Sequence, residues 1–563
     1  LDMQTAWLEW RANKLSDFHS RIADQLRTGC PQGKLFLATA GIEVSPDLSV
    51  KLRPTLPNQF TPDELLLGVG LMAKNYMRPK SGIVLLQSRV MSAEFSHVDP
   101  AAAHEVGRSL QWDQPFAEIQ SMGHFLQSRP REIRLASFDA QSPFGQDATY
   151  ISLAPHLVPT GSDSRELLVR DLARADLETI MVGGSMLPLG QEESLRSIVT
   201  AYRRLPKGKF SNIPGKHDPL VLRKIATEGA TYLSFANPTP WPCRVTLRVD
   251  QDRVPQMEHL SLASAPEVLS DGRIQLHLRP HDFRAIRFDQ KDLDVGEVKV
   301  ALATDVGDLL KQRINELADR TSQLKNRPTI DVLENGTFEA KELNAGLVGW
   351  KSDQMDSAII DSEQAYTGQG SLRLGNAVVR SNQFSPPATG RLSVFVWLKM
   401  SKDFEGPLRM GIEGKHRNRN FYRYGQVPGE SDWKFFEYQI NDLPLSDLGP
   451  LAIRFEHAGR GKVWIDDVVV SELYFSENER KELSRIITQA HFALTGGKYA
   501  ECGRLLDGYW PRFLQRHVPL PAATVAARPR LDRQADLPRV PVEEAKADAE
   551  EQPWWKKFPN LLR

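Results

Sequence analysis

The chain has 563 residues, 41% hydrophobic and 25% charged, with 71 lysines and arginines balanced by 71 aspartates and glutamates. That length exceeds a single core and implies roughly three to five domains. The balanced charge gives no sign of a nucleic-acid or membrane-surface partner, and no apolar run reaches the roughly 18–20 residues needed to cross a bilayer. Cys30, Cys243 and Cys502 lie too far apart for a disulfide framework or a cysteine zinc site.

The opening Leu1-Asp2-Met3-Gln4-Thr5 is neither a start methionine nor a secretory signal, so the sequence reads as truncated or processed. From residue 6 to about 205, helical and strand patterns alternate, as in an α/β domain. Trp7, Trp10, Leu15, Phe18, Ile22 and Leu26 recur at helical spacing. Strands are expected at 34–40, 83–87, 132–138 and 179–183, with helices at 62–71, 101–111 and 191–204. These segments amount to about half of a (β/α)8 barrel, placed at residues 1–210.

An all-β stretch follows at 218–290, where Val245, Leu247 and Val249 alternate with polar residues and mark a small β-sandwich. Residues 291–328 form a helical linker, whose apolar stripe runs through Val306, Leu310, Ile314 and Leu317. Short alternating strands broken by Gly, Pro and Asn indicate an antiparallel jelly roll at 329–474. Ser476 and Glu479 open a C-terminal helical hairpin at 475–520 with a capping box, and the second helix is interrupted at Pro511. Residues 521–563 are rich in proline, alanine and charge and read as a disordered tail. The fold class is therefore multidomain α/β plus all-β.

Two resemblances sharpen this reading. Glu334-Asn335-Gly336-Thr337-Phe338-Glu339, Tyr366-Thr367-Gly368-Gln369-Gly370 and Val463-Trp464-Ile465-Asp466-Asp467-Val468 resemble phrases of carbohydrate-binding modules of families four and nine. Trp7-Leu8-Glu9-Trp10-Arg11 followed by Phe36-Leu37-Ala38-Thr39-Ala40-Gly41 resembles bacterial glycosyl-hydrolase-like proteins related to family ten. The second resemblance implies a (β/α)8 barrel whose N-terminal half lies upstream as a partner. The family's acidic strand-end motif, normally upstream of the tryptophan-arginine helix, is absent. Together they imply a secreted or periplasmic glycoside hydrolase-like protein acting on a polysaccharide or oligosaccharide. The alternatives are a non-catalytic sugar-binding scaffold with a degenerate barrel, and an assembly component contacting other proteins.

Glycoside hydrolysis needs two carboxyl groups, which in a barrel sit at the C-terminal ends of strands. The candidates are Asp139 and Glu43, with Gln87 and Arg89 as hydroxyl-binding neighbours. No P-loop, dinucleotide glycine fingerprint or His-Glu-x-x-His motif competes. In the jelly roll, alternation groups Phe395, Trp397, Arg409, Arg454 and Glu456 on one outer face suited to sugar. The basic and aromatic loop His416–Tyr424 suits an anionic sugar or an interface. Asp466 and Asp467 are candidates for a structural calcium or for capping backbone amides.

Overall fold

The computed structural model describes residues 2–38, 53–76, 82–90, 122–128, 131–134, 151–154, 161–177, 179–184, 192–249, 254–262, 264–303, 305–326, 328–339, 347–445 and 447–521. The chain divides into two units, Leu1–Pro519 and Leu520–Arg563. The expected tail lies almost wholly outside the described residues, as does the helix expected at 101–111.

In the first unit, helix α1 (Asp2–Gly29) precedes strand β1 (Leu35–Ala38), helix α2 (Pro62–Gly68) and strand β2 (Ile83–Val90). Strand β3 (Met122–Ser128) follows, and further on come helix α3 (Gly161–Arg174) and helix α4 (Glu192–Arg203). Strands β4 (Arg131–Arg134) and β5 (Ile151–Ala154) form an antiparallel pair, and β6 (Thr179–Gly184) completes a parallel sheet in the order β1-β2-β3-β6. Four sequential parallel strands suit an α/β domain, whereas barrel closure is not seen among the described residues. The third parallel strand is thus Met122–Ser128, not 132–138. The alternation of Glu132-Ile133-Arg134 marks a hairpin strand, while Gly123 and His124 dilute the apolar signal of the true sheet strand.

Helix α1 reverses the usual burial. It packs inward through Ala12, Ser16 and Ala23, and Arg11 donates to the Gly68 carbonyl at 2.7 Å. The stripe containing Trp7, Trp10, Phe18 and Ile22 is exposed.

The small sandwich uses nine strands: β7 (Ser211–Asn212), β8 (Val221–Ala226), β9 (Thr231–Asn237), β10 (Cys243–Val249), β11 (Met257–His259), β12 (Glu267–Val268), β13 (Ile274–Leu278), β14 (Asp282–Phe288) and β15 (Val295–Leu302). Their two sheets run β12-β13-β10-β15 and β11-β14-β9-β8-β7. Alternation on β10 buries Val245 and Leu247 between them, with Phe235 and Phe288 opposite. The sandwich extends past residue 290, because β15 pairs along β10.

Helix α5 (Val306–Gln323) does more than link. Its stripe packs with α6 (Glu477–Thr495), α7 (Tyr499–Leu506) and α8 (Tyr509–His517) around Leu310, Ile314, Leu483, Trp510 and Phe513. The Ser476/Glu479 capping box forms as expected. The break between the last two helices falls at Asp507-Gly508 rather than Pro511. Pro511 sits in the first turn of α8, where its missing N–H deprives no intrahelical bond.

The jelly-roll region comprises β16 (Trp350–Ser352), β17 (Ala358–Asp361), β18 (Ser371–Leu374), β19 (Ala377–Ser381), β20 (Leu392–Met400), β21 (Leu408–His416), β22 (Arg419–Val427), β23 (Lys434–Ile440), β24 (Ala452–His457) and β25 (Val463–Ser471). Two five-stranded antiparallel sheets, β16-β19-β24-β21-β22 and β17-β18-β25-β20-β23, enclose Phe338, Trp350, Leu372, Val396, Met410, Phe455 and Ile465.

Candidate functional site

On the first of these sheets, Leu408, Met410 and Ile412 point into the core, so Arg409, Gly411 and Glu413 point out. The same alternation turns Arg454 and Glu456 of β24 outward, together with Tyr422 and Tyr424 of β22. The expected loop at 416–424 is therefore mostly strand, with the turn confined to Arg417-Asn418.

Register brings these side chains into one network. Arg380 Nε meets Glu413 Oε1 at 2.6 Å, and Arg454 Nη1 meets Glu413 Oε2 at 2.8 Å. The other amine of Arg454 meets Glu456 Oε2 at 2.7 Å, and Arg409 Nη1 meets Glu456 Oε1 at 3.1 Å. Burial lowers the Arg454 guanidinium, but its hydrogen bonds to Glu413 and Glu456 outweigh that and raise it overall. The guanidinium carbons of Arg409 and Arg454 lie 5.4 Å and 5.9 Å from the ring centres of Tyr424 and Tyr422.

Gly411 supplies the floor. A Cβ there would come within 2.1 Å of the Arg423 carbonyl, so the sheet tolerates no side chain at this point. The result is a trough of about 320 Å³, lined by Arg409, Gly411, Ile412, Tyr422, Tyr424, Arg454 and Glu456. Tyr424 is 61% exposed and Tyr422 45%. Carboxylates each held by two guanidiniums are acceptors fixed in place.

Arg409, Arg454 and Glu456 thus converge as expected, but Phe395 and Trp397 do not join them. Both lie on β20 in the opposite sheet. Phe395 is only 4% exposed, packed between Phe435 and Tyr474. Trp397 stacks on Tyr366 with ring centres 3.7 Å apart, so one face of its ring is already covered. The alternation on β20 holds, so Phe395 and Trp397 share one outward face and both pack on Phe435, but that face belongs to the other sheet.

Glu43 and Asp139 lie outside the described residues. The strand Arg131–Arg134 pairs with Ile151–Ala154 in a separate hairpin, outside the parallel sheet. Gln87 and Arg89 fall in the second half of β2, in register with His124 and Leu126. A larger cleft of about 1180 Å³ separates the 53–60 segment, the small sandwich and the helical bundle. Several of its charged groups serve structure: Arg313 pairs with Asp507 at 2.8 Å, and Asp218 accepts from the Ala500 amide at the start of α7.

Asp466 is fully buried and accepts from the backbone amides of Tyr366, Thr367 and Asp467 at 2.8, 3.1 and 2.8 Å. Asp467 accepts from the Thr367 hydroxyl at 2.9 Å. The three amide donors around Asp466 fit a capping carboxylate. Among the described residues no three His, Cys, Asp or Glu side chains gather to hold a metal.

Burial pushes the Asp466 carboxyl up to about 6, although the three amides pull it down. Its folded state therefore holds a proton more tightly than the unfolded chain, where the value is about 4. The resulting stabilisation is present below about pH 4 and lost as pH rises through about 6. Asp466→Asn should lower overall stability, because an amide N–H2 would face two backbone donors. The variant should also remove a slope on the order of 1–2 kcal/mol between pH 4 and 7, measured as the pH dependence of the wild-type-minus-variant stability difference.

Two five-stranded antiparallel sheets thus pack as a β-sandwich with an ionic, aromatic trough on one outer face. No family model matches the sequence, and no curated protein matches it. Among solved structures, the chain is similar to a family 16 carbohydrate-binding module-2, at 20% identity over 25% of this chain and 100% of that one, with a TM-score of 0.21. It is also similar to the CBM22-1 xylan-binding domain from Paenibacillus barcinonensis Xyn10C, at 15% identity over 25% of this chain and 94% of that one, TM-score 0.19. A structure described as "CBM4 structure and function" is similar at 16% identity over 25% of this chain and 98% of that one, TM-score 0.20. The fold assignment rests on the sheet order and core given above.

Proposed function

We propose that this chain binds polysaccharide through the outer face of the β16-β19-β24-β21-β22 sheet, as the sugar-binding part of a secreted or periplasmic glycoside hydrolase-like protein. The observation that carries the reading is the Tyr422/Tyr424 pair beside the side-chain-free Gly411, flanked by arginine–glutamate ladders. Flat rings stack on the apolar C–H faces of a sugar, while guanidiniums donate to its hydroxyl oxygens and carboxylates accept from its hydroxyl hydrogens. Mutual ion pairing fixes these groups before a ligand arrives, which reduces the entropy lost on binding.

Binding is the function proposed for the described residues, and hydrolysis is assigned to a completed barrel. Four sequential parallel strands and the exposed apolar stripe of α1 support a barrel whose remaining part covers that stripe.

Retardation of the full chain in polysaccharide-impregnated gels tests the reading. Tyr424→Ala should weaken binding roughly tenfold, from loss of ring stacking and apolar burial. Trp397→Ala should leave the affinity unchanged. Loss of binding with Trp397→Ala but not with Tyr424→Ala would move the site to the other sheet.

A further inference from the structure

We infer that the polysaccharide held by this face is acidic, carrying carboxylate or sulfate groups; the inference rests on the sugar-binding reading above and concerns the same trough. The sequence as a whole has zero formal net charge. The outer face of this sheet departs from that balance. Lys351 on β16 is in register with Arg380 on β19, Arg380 with Arg454 on β24, Arg454 with Gly411 on β21, and Gly411 with Tyr424 on β22. One row across all five strands therefore carries three adjacent cations and ends on the glycine floor and an exposed ring. Neighbouring strands are about 4.8 Å apart, so these cations crowd within about 10 Å.

Like charges directly opposite one another across strands destabilise a sheet. Among the described residues, Glu413 and Glu456 in the flanking rows offset the arginines, and each is shared by two of them. Arg409 and Lys415 add two further outward cations on β21. The face thus sets Lys351, Arg380, Arg409, Lys415 and Arg454 against two carboxylates. Lys351 and Lys415 are exposed and form no ion pair among the described residues. A ligand bearing negative charge would complete the neutralisation that the protein leaves undone.

A basic, aromatic surface also suits single-stranded nucleic acid. Glu413 and Glu456 oppose that occupant, because they sit inside the binding surface where a phosphate chain would pass. A hydroxyl-rich acidic sugar satisfies both sets of groups: its anions meet the cations and its hydroxyls donate to the two carboxylates.

The test uses the full chain and matched ligands differing only in charge: dextran against dextran sulfate, and methyl-esterified galacturonan against polygalacturonate, with a thymidine oligonucleotide alongside. Affinities are measured in 50 mM and 500 mM NaCl. The charged member of at least one pair should bind about tenfold or more tightly, and the advantage should shrink at high salt. Preference for polygalacturonate identifies a carboxylate ligand, and preference for dextran sulfate a sulfate ligand. The exposed double variant Lys351→Gln/Lys415→Gln should lose most of the charged-ligand advantage while neutral binding stays the same, and Lys351→Arg/Lys415→Arg should restore it. Equal, salt-insensitive binding of charged and neutral members that still depends on Tyr424 overturns the inference and leaves the sugar-binding reading standing. Absence of binding to every glycan, or binding indifferent to Tyr424→Ala, overturns both. Tighter binding of the oligonucleotide than of any glycan also overturns the inference.

Discussion

Arg391→Ala is expected to destabilise the folded chain by about 3–5 kcal/mol, because it leaves a buried carboxylate without its charge partner. Arg391 begins the approach to β20 and is 4% exposed. Its Nη2 lies 2.8 Å from Glu479 Oε1 and 3.0 Å from the Tyr474 carbonyl, and its guanidinium carbon stands 4.2 Å from the Phe475 ring centre. Burial lowers the Arg391 guanidinium, and Glu479 opposes that by raising it. Glu479 in turn caps α6 through the Ser476 amide and receives Gln439 of β23. One buried pair therefore ties the jelly-roll sandwich to the helical bundle. Denaturant unfolding should shift to lower concentration, and hydrogen exchange across Ser476–Val518 should accelerate. The double variant Arg391→Met/Glu479→Gln should recover a large part of the loss, since neither member is then left charged and unpaired. A single variant as stable as the wild type would show that the pair contributes nothing net.

The second large effect is expected at Asp282, where Asp282→Ala should cost about 3–5 kcal/mol in the small sandwich. This carboxylate is wholly buried. It accepts from the Arg279 and Phe283 amides at 3.1 Å each and from Arg284 Nε at 3.0 Å. Arg165 of α3 approaches within 4.0 Å and Arg279 Nε within 3.8 Å. Removing Asp282 leaves the 4%-exposed Arg284 guanidinium without its carboxylate and leaves three positive side chains facing each other. Burial already lowers Arg284 and Arg165, and Asp282 raises both. Calorimetry of the variant should therefore show unfolding of the small sandwich moved to lower temperature, whereas an unchanged profile would assign the arginines another counter-charge.

The strands of both sandwiches were legible in the sequence because half-buried strands write their period directly, as on β10 with Val245, Leu247 and Val249. The capping box at Ser476 was equally local. What alternation does not encode is which of two sheets a strand joins. Phe395 and Trp397 were therefore grouped with Arg409, Arg454 and Glu456, although β20 and β21 lie in opposite sheets. Tyr422 and Tyr424 were read as part of the basic, aromatic loop His416–Tyr424 rather than of a sheet face, for another reason. Their strand is so rich in arginine and asparagine that it read as a loop, even though Phe421, Tyr422 and Tyr424 already carried the two-residue period. Strand alternation turns Glu413 outward, but its bridging of Arg380 and Arg454 depends on cross-strand register, which no short-range pattern specifies. In the α/β part, a burial preference inverted by small residues on α1 could not be read from spacing alone.

Oxidative footprinting of the full chain with and without a bound polysaccharide tests the central claim most directly, because it reports on both sheet faces in one experiment. The account predicts protection of Tyr422 and Tyr424, with Tyr366 and Trp397 labelled to the same extent in both states. Protection confined to Tyr366 and Trp397, with Tyr422 and Tyr424 unchanged, would contradict it.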